Sequence, residues 1–307
     1  MIYNDYRFHV PESKIVRVIT DTDAKNEADD QFCVVQTLLS PKLDNRGFIG
    51  AHFGTRVPDA MERSYHELET IFDKMQFPKE GMIFHGAPHA LPDKNTPVDS
   101  EGARLIIQEA MKDDPRPLFV TFLGPLTDMA SALLMEPRIA SRLTVIWIGG
   151  APYPQGGSEF NMGNDVTAAN VVFRSKVPVW QVPKNVYEMM AVSLAELEYR
   201  VRPCGAIGAY LCDQLNDHAH EPEPAASDFR TGETWVLGDS PAVGLILYEH
   251  RFDYEWISAP HVQPDGCYVQ DCPGNRPIRV YKHVDSRLIL EDMYAKLALF
   301  HSRHPER

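Results

Sequence analysis

The chain has 307 residues, 44% of them apolar and 24% charged, with a formal net charge of −13. That composition is the profile of a globular protein large enough to bury a substantial core, and its acidity excludes an electrostatic nucleic-acid binder, which needs a basic face. No uninterrupted apolar run is long enough for a membrane-spanning helix, so neither a nucleic acid nor a membrane is expected as a partner.

Apolar strand-like runs alternate with helical stretches. Ile15–Thr20, rich in β-branched residues, reads as a buried strand, and Gln31–Leu39 as a helix. Gly47–Phe53 is a second strand, Ala60–Met75 a charged helix and Met82–His85 a short strand. The loop Gly86–Pro97 leads to a helix at Gly102–Met111 and a strand at Pro117–Leu123. A helix over Leu126–Leu134, a strand at Thr144–Ile148, a glycine-rich loop, a helix over Thr167–Phe173 and a strand at Val177–Val182 complete the series. Such alternation predicts an α/β fold, an open and mostly parallel sheet with helices on both faces. One domain over residues 1–307 is expected, with a strand-rich core at about 14–185 and a more helical portion at about 190–307. Leu194–Leu211 reads as an amphipathic pair of helical segments. Glu221–Ser227 is a loop or lid candidate, because its prolines block helix and central strand alike.

The first strand runs into Asp21-Thr22-Asp23-Ala24-Lys25-Asn26-Glu27-Ala28-Asp29-Asp30. Four aspartates at a strand end do not all ionise at close quarters without a cation to offset them. In open α/β folds ligands bind at the carboxyl ends of the strands, so a site for a hard, oxygen-seeking ion is expected there. Three further segments converge on that end of the sheet: Phe122-Leu123-Gly124-Pro125-Leu126-Thr127-Asp128, Gly149-Gly150 with Ser158–Asp165, and Leu237-Gly238-Asp239-Ser240-Pro241. They add carboxylates, amides and backbone carbonyls, a ligand set for Ca²⁺ or Mg²⁺ rather than for soft metals.

In this order the motifs resemble the inosine-uridine nucleoside hydrolase family, whose members begin with a strand leading into D-x-D-P-G-x-D-D. The resemblance runs from about Ile15 to the last helix near Leu288–Phe300. It implies Ca²⁺ as cofactor, a small-molecule nucleoside or riboside as substrate, and hydrolysis of the N-glycosidic bond to ribose and free base. It also implies a homo-oligomer, dimer or tetramer. Residue by residue, Asp23 resembles the general base that activates a water held on the metal, and Asp30 the bidentate calcium ligand. Leu123 matches the position whose backbone carbonyl binds the ion, and Asp239 the distal ligand. Asp29, Glu159 and Asn161 resemble the groups that bind the ribose hydroxyls, while Asp21 supports the others from behind. In physical terms, loss of a base from C1′ builds oxocarbenium character that carboxylates stabilise, and a bound cation acidifies water for a neighbouring base.

The chain departs from the family pattern at three places. Five residues, Ala24–Ala28, separate Asp23 from Asp29 where the family usually has three, bringing Lys25, Asn26 and Glu27 to the site or its rim. The usual asparagine after the second strand is replaced within Ala51-His52-Phe53-Gly54, which makes His52 or Phe53 its counterpart and His52 a candidate substrate contact. Gly238 stands where many members carry a histidine that assists the leaving base. Proton donation then falls to His52, His85 or the Glu221–Phe229 loop, or the leaving group needs little help.

Other readings compete at single positions. Asp29 and Asp30 also suit a helix cap, and Asp165 reads as the cap of its helix. Asp128 suits the positive end of a helix dipole. His52, His85 and His89 suit ordinary hydrogen-bonded histidines, and Tyr187, Phe229 and Trp235 serve either the core or base stacking. Two functions are alternatives: a non-catalytic ribose- or nucleoside-binding protein on the same scaffold, and a haloacid-dehalogenase-like phosphatase. The phosphatase pattern lacks its turn after Asp23 and its later carboxylate beyond Asp239. The N-terminal MIYNDYRFHVPESK lacks the pattern of a signal peptide. Five irregularly spaced cysteines, with Cys267 and Cys272 lacking a matching second pair, do not form a zinc ribbon. Reduced thiols and a cytoplasmic location are expected.

Overall fold

A computed structural model describes residues 1–55, 57–219, 232–248, 252–270 and 272–306. Its main sheet has eight strands. β1 (Val16–Thr22), β2 (Leu43–Gly50), β3 (Ile83–His85), β4 (Leu118–Phe122), β5 (Thr144–Ile148) and β6 (Val179–Val182) lie in the order β3-β2-β1-β4-β5-β6, every neighbouring pair parallel. Pro277–Tyr281 extends the sheet parallel to β6, and Tyr254–Ser258 closes that edge antiparallel. The sheet is therefore open and mostly parallel, as expected.

Helices α1 (Asp30–Leu38), α2 (Ala60–Met75), α3 (Glu101–Met111), α4 (Thr127–Met135), α5 (Phe160–Asn164) and α6 (Val166–Arg174) fill the crossovers. Two apolar cores flank the sheet. One joins Phe32, Val35 and Leu38 of α1 to Leu68 and Phe72 of α2 and to Leu297 and Phe300 of the last helix, Ser286–Arg303. The other joins Ile106, Met129 and Val172 to the opposite faces of the strands, among them Ile19, Val120 and Trp147. A strand covered on both sides must be apolar throughout or have its polar groups satisfied, and all of Val16–Thr22 is buried.

The expected bounds of α2 and β5 agree with the structure. β2 instead begins at Leu43, four residues before Gly47, because its polar start is neutralised at the amino end of the sheet. There the Asp44 carboxylate meets the Met1 amino group at 3.2 Å and Arg116 at 3.0 Å, and Arg46 meets Glu109 at 3.2 Å. The last third contains the helices Leu194–Arg200 and Gly205–Ala219 in the stretch read as an amphipathic pair, and it also supplies two strands to the main sheet. The lid candidate Glu221–Ser227 and Phe229 lie outside the described residues.

The connections run outward in opposite senses from β1 and β4, which are adjacent. That reversal opens a crevice at the carboxyl ends of these two strands, where open α/β sheets bind ligands. Asp23 follows one of them and Leu123 the other.

Candidate active site at the sheet switch point

Asp30 opens α1 and Asp29 occupies the position before it, yet the Asp29 side chain makes no capping hydrogen bond. Its Oδ2 instead accepts from the Asp239 backbone N–H at 3.2 Å. Carboxylate oxygens of Asp29, Asp30 and Asp239 all lie within 4.8 Å of one another, and all three residues are buried. Thr22, the last residue of β1, donates its hydroxyl to Asp30. Burial raises the pKa of each carboxyl in the triad, and the neighbouring carboxylates add to it. Asp30 is pushed up to about 7.

Asp23 is buried beside this triad. Burial, then the charges of Asp30, Glu27 and Asp29, raise its pKa well above the ordinary range. The turn after β4 presses on it: a Cβ on Gly124 would stand 2.8 Å from Asp23 Cγ, so this position admits only glycine without a shift. The Trp147 indole donates to the Gly124 carbonyl at 3.1 Å and holds that turn in place. Beside it the Leu123 carbonyl accepts from Asn161 Nδ2, which also donates to the Ile148 carbonyl at 2.9 Å.

Glu159 caps the short helix α5. Its carboxylate accepts from the backbone N–H groups of Gly150, Asn161 and Met162 at 2.7, 3.1 and 2.9 Å, and from the Tyr187 hydroxyl at 3.1 Å. The Tyr187 ring lies 3.1 Å from where a Gly238 Cβ would stand, so the aromatic ring fills the space a side chain at 238 would use.

Other predicted residues sit behind this front. The Asp21 carboxyl is buried with neither oxygen hydrogen-bonded, and burial, then the charges of Asp128 and Asp23, raise its pKa well above the ordinary range. Asp128 accepts from Ala87 N–H at 3.0 Å and from the Ser100 hydroxyl, so it ties the loop after β3 to α4. Asp165 caps α6 through Ala168 N–H at 2.8 Å, as expected. His52 is buried with both ring nitrogens engaged. Nδ1 accepts from Gly54 N–H at 3.1 Å, which leaves the proton on Nε2, 2.9 Å from Thr127 Oγ1, and Thr127 donates to Asp165 at 2.8 Å. Burial lowers the His52 pKa to about 4 and keeps the ring neutral. His85 stacks on Tyr65 at 3.8 Å and meets Glu101 at 3.1 Å on the surface. Trp235 is a core residue.

The structure thus brings Asp23, Asp29, Asp30, Asp239 and the Leu123 turn to one crevice, with Glu159 and Asn161 at its edge. It holds His52 in a separate hydrogen-bonded chain. Tyr187, one of several ambiguous aromatics in the sequence, contacts both Glu159 and Gly238. Thr22 carried one signal, its place at the end of a strand just before the acidic loop.

The donors suit a hard cation. They are carboxylates and a carbonyl, and Asp23 Oδ2 and Asp29 Oδ1 are buried without a hydrogen-bond donor. Comparison with known proteins agrees. The profile of the inosine-uridine preferring nucleoside hydrolase family matches residues 18–287. A pyrimidine-specific ribonucleoside hydrolase of Salmonella arizonae is 26% identical over 281 residues, covering 82% of this chain and 86% of that protein. A counterpart from Citrobacter koseri is 26% identical over 89% of this chain and 96% of its own. Among solved structures, a purine-preferring ribonucleoside hydrolase from Gardnerella vaginalis superposes with a TM-score of 0.77 at 20% identity, covering 92% of this chain and 98% of that one. A plant nucleoside hydrolase gives 0.73 at 21% identity over 92% of this chain and 99% of its own. The chain belongs to the inosine-uridine preferring nucleoside hydrolase family, metal-dependent enzymes that hydrolyse the N-glycosidic bond of ribonucleosides.

Proposed function

We propose that the chain cleaves a ribonucleoside to ribose and free base with Ca²⁺ as cofactor and Asp23 as general base. The observation that supports this most is the buried triad Asp29, Asp30 and Asp239 beside Asp23, whose Oδ2 has no donor. Asp23, Asp30, Asp239 and the Leu123 carbonyl would hold the ion, and the position of Asp29 within the triad lets it serve both ion and sugar. When bound, Ca²⁺ offsets the carboxylate charge and lowers the pKa of water.

The chain's own groups do the rest. Asp23 takes the proton of the attacking water, its carboxylate being buried beside the triad with one oxygen left without a donor. The surrounding carboxylates stabilise positive charge as it develops at C1′. Asn161 keeps its Oδ1 for a sugar hydroxyl while its amide nitrogen is held by two carbonyls. All four acceptor sites of Glu159 are filled, so a sugar hydroxyl reaches Glu159 by replacing the Tyr187 hydroxyl.

The test is release of free ribose from purine, pyrimidine and nicotinamide ribosides, with and without chelator. Chelator-sensitive turnover is expected. Ribose binding without turnover of any riboside would replace this reading with a binding protein, and phosphate release from sugar phosphates would replace it with a phosphatase.

A further inference from the structure

The lengthened acidic loop, Ala24–Ala28, is neither helix nor strand, so no ladder of backbone hydrogen bonds fixes it between Asp23 and Asp29. Its ends are held by side chains from other elements instead. Near Asp23, the Gln31 amide donates to the Ala24 carbonyl and, at 3.1 Å, to Glu67 Oε1 of α2. Glu67 Oε2 meets the Lys25 ammonium at 3.2 Å. Near Asp29, Gln214 donates to the Ala28 carbonyl at 3.0 Å. Ala24 and Ala28 are wholly buried, and the Asn26 N–H closes a turn onto the Asp23 carbonyl at 2.8 Å.

Glu67 is the hub of these contacts. It is only 5% exposed, on the face of α2 that carries Leu68, Ile71 and Phe72 into the core. A carboxylate in such a place is costly unless it is paired and hydrogen-bonded, and an apolar residue would serve packing better. Glu67 has three partners: Lys25, Gln31 and the Tyr210 hydroxyl at 2.6 Å. Two of them belong to the acidic loop and the helix it leads into. Tyr210 stands four residues before Gln214 in the helix Gly205–Ala219, so one face of that helix backs both ends of the loop.

Resting on the hydrolase reading, we propose that Glu67 is a positioning residue for Asp23, acting through Lys25 and Gln31 on the lengthened loop. Asp23 is hemmed in on one side by the turn at Gly124, where a Cβ would stand 2.8 Å from its Cγ. On the other side its place depends on the residue that follows it, and Ala24 is held only as firmly as Gln31 and the Lys25–Glu67 pair hold it. Loosening the pair lets Asp23 shift against the Leu123 carbonyl and the triad. Glu159 and Asn161, fixed by their own contacts at α5, stay where they are. The base is displaced while the sugar contacts of α5 remain, so kcat falls and KM does not.

The experiment measures kcat and KM at saturating Ca²⁺ for Lys25→Met, Lys25→Arg, Glu67→Gln and the double variant Lys25→Met/Glu67→Gln. The substrate is whichever of uridine, inosine and nicotinamide riboside the wild type cleaves fastest. Lys25→Met and Glu67→Gln should each lower kcat about tenfold, less than the loss for a full 1 Å misplacement, with KM within about twofold. The double variant should be no slower than the slower single one, because both remove the same link. Lys25→Arg keeps the pair and should restore kcat. Amide hydrogen exchange of the metal-free proteins gives a readout independent of turnover: the Asn26 N–H should exchange faster in Lys25→Met and Glu67→Gln, with β1 and α2 unchanged. Lys25 is 44% exposed, so its variants decide the matter if Glu67→Gln does not fold. Unchanged kcat or unchanged exchange in Lys25→Met, losses that multiply in the double variant, a loss carried by KM, or no rescue by Lys25→Arg overturns the proposal and leaves the hydrolase reading standing. Failure of the wild type to cleave any of the three ribosides overturns both.

Discussion

Removing the metal ion is predicted to weaken the fold more at pH 8 than at pH 5. In the metal-free fold Asp30 ionises near pH 7 rather than 3.8, first because it is buried and then because Asp29 lies beside it. Between those values the folded state holds a proton that the unfolded chain has released. Stability therefore falls as pH rises through the window and levels off above about 7. At about 1.4 kcal/mol per pH unit, Asp30 alone lowers metal-free stability by roughly 3 kcal/mol between pH 5 and 8. With an unfolding entropy of about 2.1 cal/mol/K per residue, that is a fall of about 4 °C in Tm for a chain of this length. Asp23, Asp29 and Asp239 are displaced in the same direction and deepen it. His52 acts the opposite way, because its pKa of about 4 lies below the usual 6.5 and stability rises with pH between them. That contribution is the same with and without metal, so the quantity to measure is Tm in Ca²⁺ minus Tm in EGTA, by scanning calorimetry at pH 5 and pH 8. The difference should grow by at least about 4 °C toward pH 8. An equal difference at both pH values, or a larger one at pH 5, refutes the reasoning.

Three further substitutions probe the crevice and its support. Asp23→Asn should lower kcat by at least about 100-fold, the lower range for losing a general base, while raising metal-free stability at pH 8 by removing one repelled carboxylate; ribose release within threefold of wild type would reject the base assignment. Gly124→Ala places a methyl carbon 2.9 Å from Asp23 Oδ1 and should displace that carboxylate. A shift of this kind is expected to cost about 100-fold in kcat with the fold intact by circular dichroism, and unchanged kcat would show that the turn yields instead. Thr127→Val removes the hydroxyl between His52 and Asp165, leaving buried polar groups unpaired at about 1–3 kcal/mol. Urea denaturation measures that loss, and an unchanged midpoint contradicts the role assigned to the chain of hydrogen bonds.

The main sheet was legible because its central strands are buried on both faces and therefore read as apolar runs, as at Thr144–Ile148. The start of β2 was not, since Asp44 and Arg46 are satisfied by partners remote in sequence, Glu109 and Arg116 among them. The edge strand Tyr254–Ser258 was not read either. It is exposed at four of its five residues and shows no alternation to find. At the site, the acidic cluster was legible from the residues, and the family resemblance nominated Asp23, Asp30 and Asp239. Spacing does not tell a cap from a ligand, and only the fold shows that Asp29 faces Asp239 rather than its own helix. The capping of α5 by Glu159 was hidden because that helix has only five residues. The burial of His52 depends on Thr127 and Asp165, which no local pattern connects to it.

The contact of Asp29 with the Asp239 backbone spans 210 residues of chain. A pocket assembled from such distant segments comes into being only when the first and the penultimate crossovers have both docked. An unfinished chain, or one with its C-terminal third detached, has half a pocket and little hold on an ion. A bound metal ion would then act late in folding, having little to grip before these segments meet and much in the finished protein. Its stabilisation would then fall mainly on the rate of unfolding, making the ion a latch on the closed structure rather than a seed for its formation.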